Sequence, residues 1–263
     1  MKTGFIGLGK MGFAIASGIA NNGLYAPRNI CVYDVNENAL KTAEEKGFSV
    51  ADSVQSLFDN CETVLFAIKP QEAKNVIDGI SSTGKCKLVI SIMAGVPIKT
   101  LSAISDKIAI ARIMPNTCAL IGQSASSICY NGSADENAKL ITRKIFGAVG
   151  SFVEIDESLM DDVIPIGGSF TAYAYTFMKA FIDSSVKRGI PRDVAEKLVI
   201  QSMIGSANML DKYGDVDTLI KNVCSKGGTT LAGLDKLIGA DFERIIDDCA
   251  VACAERSKEL GKI

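Results

Sequence analysis

Thr3-Gly4-Phe5-Ile6-Gly7-Leu8-Gly9-Lys10-Met11-Gly12 stands almost at the start of the chain, and its reading decides the fold. Thr3–Gly7 is a short apolar run of strand type. A Gly-x-Gly-x-x-Gly turn follows, and Lys10–Asn22 then has helical periodicity. In a strand–turn–helix unit the first glycine makes the tight turn, the second admits a pyrophosphate, and the third lets helix and strand pack closely. A second strand, Ile30–Asp34, ends in an acid about 20 residues beyond Gly12, where such folds place the carboxylate that meets a ribose. The spacing predicts dinucleotide binding through Gly7, Leu8, Gly9, Lys10, Met11, Gly12 and Asp34. A glycine turn with no ligand is the plain alternative.

Working outward, Thr63–Ile68, Leu88–Ile92, Ile108–Arg112 and Ser124–Tyr130 are further short apolar runs, with helix-like stretches such as Ala39–Lys46 among them. Fully apolar strands alternating with helices predict a parallel sheet covered on both faces. The expected class is therefore an α/β Rossmann domain, doubly wound and mostly parallel, over residues 1–156. After Ile155 the pattern changes. Ser158–Val163, Phe170–Arg188, Pro191–Tyr213, Asp217–Val223, Thr229–Ile238 and Phe242–Leu260 all read as helices, which predicts an all-α domain over residues 157–263. Its helices carry more apolar surface than one small core needs, so they predict an oligomer interface.

Composition narrows the chemistry. The 263 residues carry a formal net charge of −2, with no basic surplus to favour nucleic acid. The longest apolar stretch, Leu88–Ile98, is too short for a membrane span. The first residues enter a strand at once, which predicts no signal peptide. Eight scattered cysteines fit buried free thiols in a reducing cytoplasm. Cys249 and Cys253 share a helix face but lack companion ligands, so no metal is expected. There is no histidine anywhere. That removes Ser-His and Cys-His pairs and leaves proton handling to Lys, carboxylates, Tyr, Ser/Thr, Cys, water or the substrate.

The carboxyl ends of the strands should face the ligand. Ala67-Ile68-Lys69-Pro70, Ser91-Ile92-Met93-Ala94-Gly95 and Arg112-Ile113-Met114-Pro115-Asn116-Thr117 all lie there. Asn116 and Thr117 either approach the nicotinamide or serve only the turn after Pro115. Lys69 either touches ligand or caps the edge. Asp34 suits a ribose hydroxyl and would repel a 2′-phosphate, and no arginine follows it, so NAD is favoured slightly over NADP. Farther on, Ser225-Lys226-Gly227-Gly228-Thr229-Thr230-Leu231 opens a helix. Free amides at a helix start suit an anion. A capped helix after a tight turn is the alternative there.

Four segments in this order resemble the pyrroline-5-carboxylate reductase family: Gly7–Gly12, Ala67–Pro70 with Ser91–Gly95, Arg112–Thr117, and Ser225–Gly233. Met-Pro-Asn-Thr and Gly-Gly-Thr-Thr are specific to that family, whereas β-hydroxyacid dehydrogenases share the glycine turn. The resemblance implies a Rossmann domain and a helical domain that interlocks two chains into a homodimer, often in larger rings of dimers. It implies hydride transfer from NAD(P)H to the C=N carbon of 1-pyrroline-5-carboxylate, giving L-proline. It also implies that Gly7, Gly9 and Gly12 hold pyrophosphate, and that Lys69, Pro70, Ala94 and Asn116, with Ala67 and Gly95 beside them, line the nicotinamide side. The backbone of Ser225, Gly227, Gly228, Thr229 and Thr230 would hold the substrate carboxylate, with the Thr230 hydroxyl near the imine nitrogen.

The chain departs from the family pattern at Phe170, Thr171, Lys179, Lys226 and Cys118. These differences motivate a second reading, a reductase of another cyclic imine or of a β-hydroxyacid on the same scaffold. For the β-hydroxyacid version the spacing of Lys179 and Asp183 fits poorly. A third reading is a dinucleotide-binding regulatory protein without catalysis, against which Asn116, Thr229 and Thr230 argue.

Overall fold

The computed structural model describes residues 2–261. Eight strands among them form one sheet: β1 (Thr3–Ile6), β2 (Ile30–Tyr33), β3 (Ser49–Val50), β4 (Thr63–Phe66), β5 (Leu88–Ser91), β6 (Ala109–Met114), β7 (Ser124–Tyr130) and β8 (Gly150–Glu154). Their order is β3-β2-β1-β4-β5-β6-β7-β8. Every pairing is parallel except β6 with β7. The doubly wound α/β class follows from the same alternation that the sequence displays.

Helices cover both faces. On one, α1 (Lys10–Asn21), α2 (Glu37–Glu45) and α6 (Glu136–Gly147) bring Ile15, Ile19, Ala43, Ile145 and Phe146 onto Phe5, Leu65, Ile90 and Ile113. On the other, α3 (Val54–Asn60), α4 (Ala73–Asp78) and α5 (Ile98–Leu101) bring Leu57, Phe58, Ile77 and Leu101 onto Ile6, Val64, Phe66 and Val89. Alternate residues of each strand thus serve opposite cores, which is why the strands read as unbroken apolar runs. Each fully buried Leu, Ile or Phe contributes roughly 1.5–3 kcal/mol.

Two strands escape the apolar-run reading. β3 has two residues on the sheet edge, and β8 alternates half-buried and exposed positions. Edge strands need not be apolar on both faces, so they leave a weaker signature. The helix expected at Ser158–Val163 is instead a 3-10 turn, Glu157–Leu159, followed by further turns. The physical cause is tertiary. Met160 and Ile164 are buried in the sheet's second core, and Glu157 and Asp161 turn inward to Arg112.

The remaining helices are α7 (Phe170–Val186), α8 (Arg192–Tyr213), α9 (Val216–Val223), α10 (Thr229–Gly239) and α11 (Phe242–Leu260). By packing, residues up to Thr171 together with Ala250 onward form one compact unit, and Ala172–Cys249 form a second. The last turns of α11 belong with the sheet: Ser257 donates to Asp161 Oδ1 at 2.7 Å, and Cys253 Sγ lies 3.4 Å from Ser169 Oγ. In the second unit only Ile182 and Ala195 are buried. Phe181, Leu198, Ile204, Val223 and Ile238 are open, Ile238 to 70%. A helical unit that hides so little of its apolar surface has a face built for another surface. No helix among the described residues is long and apolar enough to cross a membrane.

Candidate active site

The glycine turn shows which of its glycines the fold itself demands. Gly7 has φ +91°, and a Cβ there would lie 2.7 Å from the Ala67 carbonyl oxygen. A Cβ on Gly12 would lie 2.4 Å from the Gly7 carbonyl oxygen. Strand–strand and helix–turn approach therefore account for both. Gly9 differs: no protein atom lies within 4 Å of where its Cβ would be. Gly9 is also the N-cap of α1, and no side chain caps that helix. The turn thus leaves open space over the unpaired amides of a helix start, the arrangement a pyrophosphate needs. The residues present fit a dinucleotide. Leu8 is buried, whereas Lys10 is exposed and Met11 half-buried at the rim.

Asp34 is tied more tightly to this turn than its sequence position discloses. Its Oδ2 accepts from the Leu8 amide at 2.6 Å, and its Oδ1 accepts from the Asn36 amide at 2.8 Å. The carboxylate therefore braces the end of β2 against the glycine turn. Each oxygen keeps a further lone pair with which to accept a hydroxyl.

Segments at the carboxyl ends of the next strands divide in the same way. Lys69 is exposed beside the half-buried Pro70 and Ala67. Ala94 is half-buried, and Gly95 has φ +76° with a Cβ position 2.6 Å from the Ser257 carbonyl oxygen. The end of α11 therefore explains that glycine by close approach. Asn116 is buried and bonded at both ends of its amide: Oδ1 accepts from the Cys118 amide at 3.0 Å, and Nδ2 donates to the Gly167 carbonyl at 3.1 Å. It caps the 3-10 turn Thr117–Ile121 and pins the segment before α7, while Thr117 is exposed.

Sequence reasoning passed over the chemistry of Arg112. It is 2% exposed on β6, with Nη2 3.0 Å from Asp161 Oδ1 and Nη1 3.4 Å from Glu157 Oε1. Glu157 Oε1 also accepts from the Ile98 amide at 2.7 Å. Arg112 and Met114 on β6, and Asn116 just beyond it, each meet the 157–168 segment: Arg112 at Glu157 and Asp161, Met114 at Gly168, Asn116 at Gly167. The signal was available, since a charge inside the apolar run 108–114 needs buried partners of opposite sign.

In the second unit, Gly227 has φ +73° and Gly228 is the N-cap of α10, again with no side-chain cap. The Gly228 amide donates to the Ser225 carbonyl at 2.9 Å, folding the loop onto itself. A Cβ on Gly228 would lie 2.4 Å from Ser225 Oγ. Thr229 and Thr230 open the helix and are exposed, as are Ser225 and Lys226. Of the capped-helix alternative the tight turn is present, and a side-chain cap on the first-turn amides is not. By contrast Asn36, Ser53, Asp135 and Asp215 cap α2, α3, α6 and α9. Phe170 is half exposed at the start of α7, and Lys179 pairs with Asp183, which Arg192 also contacts at 2.8 Å. Among the described residues no group of three or more ligating side chains could hold a metal.

Comparison with known proteins finds two family models along the chain. A family model described as pyrroline-5-carboxylate reductase dimerisation matches residues 157–260, and one described as NADP oxidoreductase coenzyme F420-dependent matches residues 2–95. The pyrroline-5-carboxylate reductase of Arabidopsis thaliana is 34% identical over 264 residues, covering 99% of this chain and 96% of the relative. That of Methanosarcina acetivorans is 35% identical over 266 residues, covering 99% and 98%. The crystal structure of the Plasmodium falciparum pyrroline carboxylate reductase, with NADP bound, superposes with a TM-score of 0.92 at 33% identity, covering 99% of this chain and 98% of that one. Likeness at this level over the whole length places the chain in the pyrroline-5-carboxylate reductase family.

Proposed function

We infer that the protein reduces the cyclic imine 1-pyrroline-5-carboxylate to L-proline with NAD(P)H. The observation that carries this reading is the full-length likeness to enzymes of that name. A bound nicotinamide supplies the hydride that adds to the imine carbon. The chain's own part is to bind, orient and manage one proton. The Gly7–Gly12 turn, Asp34, Ala67, Lys69, Pro70, Ala94, Gly95 and Asn116 form the cofactor side in this reading. Ser225, Gly227, Gly228, Thr229 and Thr230 take the substrate, with first-turn amides of α10 holding its carboxylate.

Hydride adds more readily to an iminium than to a neutral imine, because the bond that forms neutralises the positive charge. The Thr230 hydroxyl supplies a hydrogen bond at the nitrogen and steadies the proton there. Orientation of two bound reactants lowers such barriers by roughly 7–11 kcal/mol in well-aligned systems. One hydroxyl adds on the order of 2–4 kcal/mol. No imidazole is required, in keeping with a chain that has none.

The exposed apolar helices of residues 172–249 and the dimerisation family model support a homodimer, and a ring of such dimers is the larger assembly we propose. The sequence division at 156/157 is proposed as the functional boundary. The eight free thiols support a cytoplasmic setting. Asp34 favours NADH over NADPH. Purified protein mixed with 1-pyrroline-5-carboxylate should consume the absorbance of reduced nicotinamide, and a six-membered cyclic imine should react more slowly. No turnover with either cofactor on either imine would remove the proposal and leave the non-catalytic reading.

A further inference from the structure

Three cysteines cluster at the amino edge of the sheet, away from the strand ends that carry the glycine turn. Cys31 lies on β2 directly opposite Gly4 of β1 in register. Cys61 follows α3 and is fully buried, with its Sγ 3.3 Å from where a Cβ on Gly4 would stand. Gly4 has no side chain, and Cys31, its neighbour across the sheet, packs against the same core that holds Cys61. Their mutual contact is the largest influence on the ionisation of each. Cys86 is nearby and buried, but its Sγ is directed to the Leu88 carbonyl at 3.3 Å.

We propose that Cys31 and Cys61 are an oxidation site that closes to a disulfide across Gly4 when the protein meets a peroxide. Roles divide by environment. Cys31 is half-buried and Cys61 is not exposed at all. The contact with Cys61 holds the Cys31 thiol below its ordinary range and the Lys2 ammonium assists, outweighing the opposing effects of burial and Asp52. The same contact, with burial, pushes Cys61 up. Cys31, the more accessible of the two, is the sulfur that meets peroxide, and the fully buried Cys61 is the one that resolves.

In the first step the Cys31 thiolate attacks one peroxide oxygen and the O–O bond breaks. This gives a sulfenic acid and hydroxide, sulfur being oxidised and peroxide reduced. In the second, Cys61 sulfur attacks Cys31 sulfur and the S–O bond breaks. The Cys61 proton leaves with the departing hydroxyl as water, and the S–S bond remains. A dithiol reverses the reaction by exchange.

The test is oxidation of the whole protein with hydrogen peroxide, followed by digestion without reductant and mass spectrometry. The expected product is a peptide pair linked through Cys31 and Cys61, with two of the eight thiols lost to titration and regained with dithiothreitol. Replacing Cys61 by Ala should leave a sulfenic acid at Cys31 that dimedone traps. Replacing Cys31 by Ala should slow thiol loss at this cluster at least tenfold. The wild-type result needs no variant to fold. Linkage of Cys61 to Cys86, oxidation confined to other cysteines, or no thiol loss would each overturn the proposal.

Discussion

The Arg112 guanidinium lies 3.0 Å from the Asp161 carboxylate, with only 3% of its side chain exposed. It joins β6 to the segment that leads into the helices, and Ser257 joins the same carboxylate to α11. Breaking such a pair by removing one partner leaves a charge in a poor solvent, at a cost of about 3–5 kcal/mol. Arg112→Met should therefore lower the denaturant midpoint by an amount of that order at fixed protein concentration, with Arg112→Lys losing less. Asp161→Asn leaves the Arg112 charge, 3% exposed, with Glu157 at 3.4 Å as its remaining carboxylate, and should cost no less than Arg112→Lys. Equal midpoints for wild type and Arg112→Met would show that the pair contributes nothing net.

The glycine turn separates folding from binding. Gly9→Ala meets no protein atom, so the variant should keep its stability to within about 1 kcal/mol, the usual range for a change at an N-cap. The added methyl stands where a pyrophosphate would approach, so the dissociation constant for cofactor should rise at least tenfold. Gly12→Ala should instead destabilise the fold, since its methyl would lie 2.4 Å from a backbone oxygen. Thermal melts and cofactor titration by fluorescence distinguish the two. Unaltered affinity in Gly9→Ala would move the pyrophosphate elsewhere.

The α/β class, the glycine turn and the helical second half were legible because each rests on local pattern: apolar runs, a glycine spacing, helical periodicity. What was not legible depends on partners distant in sequence. Arg112 reads as part of a motif until Glu157 and Asp161 are brought to it. Asn116 reads as a ligand contact or a turn residue, and its bonds to Cys118 and Gly167 are not foretold by either. Gly95 stands in a strand-end motif whose sequence gives no sign of its close approach to Ser257, 162 residues farther along the chain. Ser158–Val163 has enough helical pattern to predict a helix, but the ion pairs and buried Met160 hold it in turns.

Asp34 tests cofactor choice. Asp34→Asn removes a negative charge from the ribose side and should raise the NADPH-to-NADH ratio of kcat/KM by roughly tenfold, about 1.4 kcal/mol. One carbonyl oxygen cannot replace two carboxylate oxygens on the Leu8 and Asn36 amides, so stability should fall by about 1 kcal/mol as well. If the ratio stays put while stability falls, Asp34 only braces the turn.

Glu154 supplies a pH signature. Arg143 Nε bonds its Oε1 at 2.7 Å and Tyr130 donates at 3.0 Å. The Arg143 guanidinium above all holds this carboxyl below its ordinary value. A lowered folded pKa means that the stabilisation is complete above the unfolded pKa, about 4.3, and is lost as pH falls through the folded value. The pair is more than a third exposed, so the effect is at most about 1 kcal/mol. Glu154→Gln should cost that amount near neutrality and nothing in acid, measured by urea unfolding at both. An identical deficit at both pH values would assign the loss to packing.

Thr230 carries the mechanism. α10 starts without a side-chain cap, so the Thr230 hydroxyl is not spent on its own helix. Thr230→Ala should lower kcat at least tenfold, the equivalent of about 1.4 kcal/mol of transition-state stabilisation. KM should change little, because the carboxylate is held by backbone amides that the substitution leaves in place. Thr230→Ser restores the hydroxyl and should recover most of the rate, whereas Thr229→Ala should affect kcat less. A loss in KM alone would make Thr230 a binding residue. A wild-type rate in Thr230→Ala would leave the imine proton to water or to the substrate's own ionisation.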